Sequence, residues 1–228
     1  MRTLSRHISF AGGATASAVV VLPPLSRVAE RLFSFHMIQH LLLIAVAAPL
    51  LAYAAGGGPP PRLRFMRLLT RPATAWTAFV CVFLLWHWTA AMHWAAEREG
   101  SRLLEFTTIL AAAWLFWSMV LQTGLPNAAG WGARALAVTT AAIVTDFPGV
   151  IMIFSPQAYC SMPKEDAAHW GLTILEDQQI AGLLMWVPAN LIFFGIAIVL
   201  FARWMSEETP TFREPLPQRP PPHPVLDA

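Results

Sequence analysis

Long windows without Asp, Glu, Lys or Arg recur along the chain and constrain its fold more than any other feature. Asp146 is the only such residue within the six windows 8–26, 32–61, 72–96, 106–133, 135–163 and 178–202. All but the first exceed the roughly 20 residues that a helix needs to cross a bilayer core. The sequence therefore predicts an all-α fold, a polytopic bundle of about six transmembrane helices.

The composition supports a membrane protein and excludes several other classes. Only 12% of the residues are charged and the mean hydropathy is +0.53, whereas a soluble domain carries about 25% charged residues. A net charge of +2 is too small to indicate binding of nucleic acid. The two cysteines, Cys81 and Cys160, form no CxxC pair, so a metal site held by two neighbouring thiolates is not expected.

The basic residues are distributed unevenly between the two sides that six spans would create. The side of the N-terminus receives roughly twice as many as the opposite side, including the cluster between Arg62 and Arg71. Because basic loops are retained in the cytoplasm, both termini are predicted to be cytoplasmic. Residues 1–205 are predicted to form the bundle, and the proline-rich segment 206–228 a disordered tail.

Two histidines mark the start of the second window. His36 and His40 are four positions apart, followed by an uncharged apolar run to position 55. On a helix this spacing projects both side chains from one face. Two imidazoles in an apolar setting need partners, which a metal ion, a haem, a proton relay or a hydrogen-bond network would each provide.

The predicted topology brings further polar residues to the same outer level of the membrane. Met92 and His93 end the third span, Glu105 begins the fourth, and Asp177 and Gln178 begin the sixth. Polar residues are also common at helix ends, either at the interface or in bonds between helices, and carboxylates suit helix N-termini. The sequence leaves a shared site and these structural roles both open.

His87 and Asp146 lie deeper in the predicted bundle. His87 is six residues from His93, which on one helix places it about 120° around and two turns deeper, as a residue that supports the ligands or relays protons. Asp146 falls near the middle of the fifth span, just before Pro148. A carboxylate at that depth indicates a functional group, or a protonated Asp bonded to a neighbouring helix.

The residue types around the histidine pair favour copper. Imidazole nitrogen binds copper, zinc, iron and nickel, and a thioether adds selectivity for Cu(I). Met37 and Met92 each stand next to one of the histidines in the sequence. No HExxH, GxSxG, P-loop or dinucleotide-binding motif occurs, so the motifs of the usual enzymes are missing.

Several sequence blocks resemble the CtaG-type assembly factors of cytochrome c oxidase. The blocks are F-x-G at 10–12, PL at 24–25, LFSFHMIQHLLLIAVAAPLL at 32–51, LEFTTILAAAWLFW at 104–117 and DQQIAGLLMWVP at 177–188. The resemblance implies a multi-pass protein of the bacterial cytoplasmic membrane that delivers or inserts copper during oxidase maturation, without catalytic turnover. Its implied partners are an oxidase subunit or a copper-donor protein, together with membrane lipid.

The resemblance extends to individual residues. Those that match the family's motifs are His36, His40, His93, Asp177 and Gln178. Relatives often have Glu-His where this chain has Glu105-Phe106, and a phenyl ring cannot bind a metal ion. The resemblance therefore implies a copper site of His36, His40 and His93 that is one ligand short, with Glu105 and Asp177 orienting the imidazoles.

The sequence leaves two other functions open. A haem- or quinol-handling membrane redox protein would use one of the paired histidines with a histidine of another helix, and a Soret band would reveal its haem. A metal-free assembly scaffold would use the polar cluster only to dock a partner, so that its histidines affect complex formation and not metal content.

Overall fold

The structure, a computed structural model, describes residues 2–56, 69, 71–96, 99–122, 129–159 and 164–208. This part of the chain is helical and contains no strand. Its helices are α1 (Arg2–Val21), α2 (Leu25–Ala29), α3 (Phe33–Leu41), α4 (Ala48–Ala54), α5 (Pro72–Trp86), α6 (Thr89–Ala96), α7 (Glu99–Leu121), α8 (Trp131–Phe154), α9 (Lys164–His169) and α10 (Ile174–Glu208).

The all-α bundle predicted from the charge-free windows is confirmed, although the number of spans agrees only roughly. Among the described residues, four helices are long and apolar enough to cross a membrane: Phe33–Ala54, Gly100–Leu121, Trp131–Phe154 and Ile174–Glu207. Helix α5 is apolar but shorter, and α1 is helical without being one of the four. Helix α10 continues to Glu208, and most of the predicted tail (209–228) lies outside the described residues.

The prediction of a single helix over 72–96 is wrong. Helix α5 ends at Trp86, and α6 begins at Thr89. The Phe83 carbonyl accepts both the His87 backbone N–H (3.2 Å) and the His87 ring Nδ1–H (2.7 Å). His87 has a φ of −89° and a ψ of 0°, outside the α-helical region, so the chain turns there. The 120° relation between His87 and His93 therefore does not hold.

Helices α3 and α4 are joined without a break by a π-helical segment, Leu42–Ala47. The Ala48 N–H bonds the Leu43 carbonyl, five residues back. Continuing that pattern, Pro49 would bond the Ile44 carbonyl, but proline has no N–H. The Trp117 Nε1–H donates to the Ile44 carbonyl instead, at 2.7 Å. An indole of α7 thus replaces the missing backbone donor and ties α7 to the helix that carries the histidine pair.

The long helix α10 packs against both α8 and α3. Its crossing with α8 is close because glycines meet there: a Cβ added to Gly182 would lie 2.7 Å from the Gly149 carbonyl oxygen. Small residues let helix backbones approach in membrane bundles. Helix α10 also bonds the start of α3, where the histidine pair lies, so α10 helps to position the candidate site.

Candidate metal centre

His36 and His40 lie on one face of α3, as their spacing predicts. Their ring centroids are 4.5 Å apart, and both side chains are buried. Phe33 stacks on His36 with ring centroids 6.2 Å apart. The two imidazoles therefore occupy one small, largely apolar volume near the beginning of α3.

Glu105 of α7 is the acidic group of this cluster. Its side chain is fully buried (0% exposed), and its Oε1 lies 3.3 Å from His36 Nε2 and 3.1 Å from His40 Nε2. Among the described residues, these three offer ligand atoms that all lie within 4.8 Å of one another. Bonds of about 2.0–2.1 Å in a tetrahedral site separate ligand atoms by roughly 3.3 Å. The two measured separations match that spacing.

Several polar atoms of the cluster have no hydrogen-bond partner among the described residues. Both ring nitrogens of His40 are unbonded, as is Oε2 of Glu105. His40 Nε2 is close to Glu105 Oε1, but it is an ion-pair distance without hydrogen-bond geometry. Each buried polar group left without a partner costs about 1–3 kcal/mol. The cluster thus has lone pairs without a partner, which a bound cation would occupy.

Phe106 closes one side of the cluster. Its ring centroid lies 5.8 Å from that of His36 and 6.0 Å from that of His40, and the side chain is buried. Position 106 therefore faces both imidazoles. In this chain it contributes an apolar wall and no ligand.

His87 also belongs to the cluster, more closely than the sequence indicated. Its ring centroid lies 5.3 Å from that of His40 and 4.1 Å from that of Phe83. The side chain is buried, and its Nε2 has no hydrogen-bond partner among the residues described. His87 follows Phe83 by one helical turn at the end of α5, and Phe83 lines the same cavity as His40, so this face of α5 brings the imidazole beside the pair.

The two methionines predicted to support the site are both buried, in different surroundings. Met37 is fully buried and lines a cavity of ≈ 30 Å³ together with His40 and Phe83. Met92 is buried in the hydrophobic core. The side chain of His93, a predicted ligand, lies outside the described residues, although its backbone belongs to α6.

Asp177 and Gln178 bond to backbone groups in the structure. Asp177 accepts the backbone N–H groups of Phe33 (2.7 Å) and Ser34 (3.1 Å) at the start of α3. Gln178 accepts the Tyr159 N–H at 2.9 Å and donates to backbone carbonyls. Both are buried. Asp177 therefore fixes the helix that carries the histidines from its N-terminal end.

Asp146 is paired with another helix and is not part of the histidine cluster. Both carboxylate oxygens accept the Asn190 side-chain N–H₂ at 2.9 Å, and the Trp186 side chain also bonds it. These contacts link α8 to α10. They agree with one part of the second interpretation of this residue, its bond to a neighbouring helix.

A comparison with known protein families accounts for nearly all of the described chain. The family model for the cytochrome c oxidase caa3 assembly factor (Caa3_CtaG) matches residues 2–207. No curated protein and no solved structure gives a significant match. The matched segment contains the helices α1 to α10, apart from the last residue of α10, and the whole His36/His40/Glu105 cluster. The chain belongs to the cytochrome c oxidase caa3 assembly factor family.

Proposed function

We propose that this protein binds copper between α3 and α7, through His36, His40 and Glu105, and passes it to an oxidase subunit during assembly. The observation that carries the proposal is a buried carboxylate placed between two imidazoles, with ring nitrogens and a carboxylate oxygen left unpaired. Buried charges are normally paired and fully hydrogen-bonded. A bound cation would complete this set.

The donor atoms and the family both support copper as the ion. Two imidazoles and a carboxylate suit Cu(II), zinc or iron, and a nearby thioether favours Cu(I). Met37 lines a cavity together with His40, so a methionine lies close to one side of that residue. The family consists of assembly factors of cytochrome c oxidase. The resemblance of the sequence blocks implies that such factors deliver copper. Copper is then cargo, and no catalytic turnover is involved.

The position of the cluster near helix ends supports release of the ion at one face of the bundle. His36 is in the first turn of α3 and Glu105 in the second turn of α7, so both lie near helix ends. The bias of basic residues favours the periplasmic side for this end. We infer that the recipient is a periplasmic part of an oxidase subunit, or that a copper-donor protein loads the site from there.

A haem receives less support from the same geometry. The two axial imidazoles of a haem lie on opposite sides of the porphyrin plane. The described histidine of another helix that contacts the pair, His87, has its ring in contact with that of His40, with centroids 5.3 Å apart, which leaves no room for a porphyrin between the two rings. This arrangement favours a single ion between the paired imidazoles and Glu105.

Copper binding by the purified protein tests the proposal. The wild type in detergent, loaded with copper and freed of excess, should retain about one equivalent, and His36→Ala/His40→Ala should retain almost none. The matched control is His7→Ala/His169→Ala, which removes two exposed imidazoles and should bind like the wild type. Wild-type protein without copper, or equal binding by both double variants, would contradict the proposal.

Glu105→Gln tests whether copper binding needs the carboxylate, because it removes the charge and keeps the side-chain shape. The amide keeps the side-chain volume but is a poor ligand, so the affinity for copper should fall while the protein stays folded. In cells, the same variant should lower the copper content of the oxidase. A scaffold role predicts the reverse pattern, in which these substitutions impair oxidase assembly although the wild type never holds copper.

A further inference from the structure

The protonation of the His87 ring follows from its hydrogen bond. A carbonyl oxygen can only accept, so the 2.7 Å bond between His87 Nδ1 and the Phe83 carbonyl requires the proton to be on Nδ1. In the neutral ring, Nε2 then carries a lone pair. That nitrogen is buried and has no partner among the described residues.

Among the described residues, two rings contact that of His87. One ring face stacks on Phe83, and Nδ1 is held by the backbone. The other ring in contact is His40, at 5.3 Å between centroids. The His87 ring therefore adjoins the polar cluster through His40, which has two unbonded nitrogens of its own.

His87 has the arrangement that metal-binding histidines usually show. Such a histidine donates its second ring N–H to a carboxylate or a backbone carbonyl, which fixes the tautomer and orients the ring. His87 already makes this bond to Phe83. The end of α5 at Trp86 holds the residue in place, so its orientation does not depend on the ion.

We propose that His87 is a further copper ligand through Nε2. The inference rests on the proposed function and extends it. The site then takes copper with three imidazoles and one carboxylate, supplied by α3, α7 and the residue that follows α5. His87 is outside the group of ligand atoms within 4.8 Å of one another. Ligand atoms on one ion are roughly 3.3 Å apart, so binding draws His87 towards His40 and links the end of α5 to α3.

Two measurements on copper-loaded protein test this ligand. Pulsed electron paramagnetic resonance of the Cu(II) form counts coordinated imidazoles through their remote nitrogens. The wild type should show three and His87→Gln two, with at least a tenfold lower affinity in competition with a chelator. Gln keeps a side-chain N–H to bond the Phe83 carbonyl, so it guards against a folding defect in His87→Ala. His169→Ala, which removes an exposed imidazole, is the control.

The outcomes separate this inference from the proposed function. If the wild type binds copper through His36 and His40 but His87→Gln leaves the imidazole count unchanged, His87 is not a ligand and the proposed function stands. The same conclusion applies even if the affinity falls, because His87 then only positions the other residues. If the wild type binds no copper, both fail. The inference is supported if His87→Gln loses one coordinated imidazole and the control His169→Ala loses none.

Discussion

Asp177 of α10 accepts the backbone N–H of Phe33 through Oδ2, at 2.7 Å. Its other oxygen accepts the N–H of Ser34, so a residue 144 positions away from Phe33 in the chain caps the first turn of α3. His36 follows two residues after Ser34. The carboxylate also interacts favourably with the positive end of the α3 helix dipole. The contact therefore holds the helix of the histidine pair in register with α10.

Removing this cap should affect both stability and metal binding. Asp177→Ala leaves two buried N–H groups without acceptors, which should lower the free energy of unfolding by about 2–6 kcal/mol, at about 1–3 kcal/mol for each group. Copper affinity should fall as well because the first turn of α3 carries His36. Asp177→Asn keeps one acceptor oxygen and should lie between wild type and Asp177→Ala. Thermal unfolding in detergent and chelator competition measure the two effects.

The neighbouring Glu176 provides the control for that substitution. Its exposed carboxylate bonds Thr173 at the start of its own helix. Glu176→Ala should therefore leave copper affinity unchanged and alter stability less than Asp177→Ala. Equal effects of the two substitutions would show that the contact with α3 has no special role.

Phe106→His should strengthen copper binding. The Phe106 ring faces both imidazoles of the pair, so a histidine there would add a ligand from α7. We expect affinity to rise by about tenfold, equivalent to about 1.4 kcal/mol, in competition with a chelator. Phe106→Leu keeps an apolar wall and should bind like the wild type. Indistinguishable affinities for the two variants would place the ion elsewhere.

Trp117→Phe tests the support of the π-helical segment. The substitution keeps an aromatic ring but leaves the buried Ile44 carbonyl without its donor. The free energy of unfolding should fall by about 1–3 kcal/mol. Trp114→Phe is the comparison on the same helix and should cost less, because it removes no bond to the π-helical segment. Similar unfolding temperatures for both variants would mean that the Trp117 bond contributes little.

Two glycines of α10 give opposite predictions. An added Cβ at Gly182 would press on the Gly149 carbonyl and on Ile153, so Gly182→Ala should destabilise the bundle by about 1–3 kcal/mol. No atom lies within 4 Å of a Cβ added to Gly195. Gly195→Ala should leave stability unchanged or raise it by up to about 1 kcal/mol. Comparable unfolding of both variants would argue against a tight α8–α10 crossing.

The sequence predicted those features of the site that depend on local periodicity. The common face of His36 and His40 follows from helical spacing, and the bundle follows from charge-free windows. The level of Glu105 followed from topology, although its contact with both imidazoles did not. Asp177 was grouped with the histidines by the same reasoning, yet it bonds the backbone of α3. Depth in a membrane does not specify which atoms a side chain reaches.

What the sequence alone determined is thus the helical membrane fold and the histidine face, because both arise from the short-range repeat of apolar and polar residues. The tertiary structure decided which groups complete the face. His87 reaches His40 because the face of α5 that carries Phe83 packs near α3. Glu105 meets the pair because α7 packs beside α4 and the π-helical segment that continues α3. Such contacts depend on packing between distant segments, which no local pattern encodes.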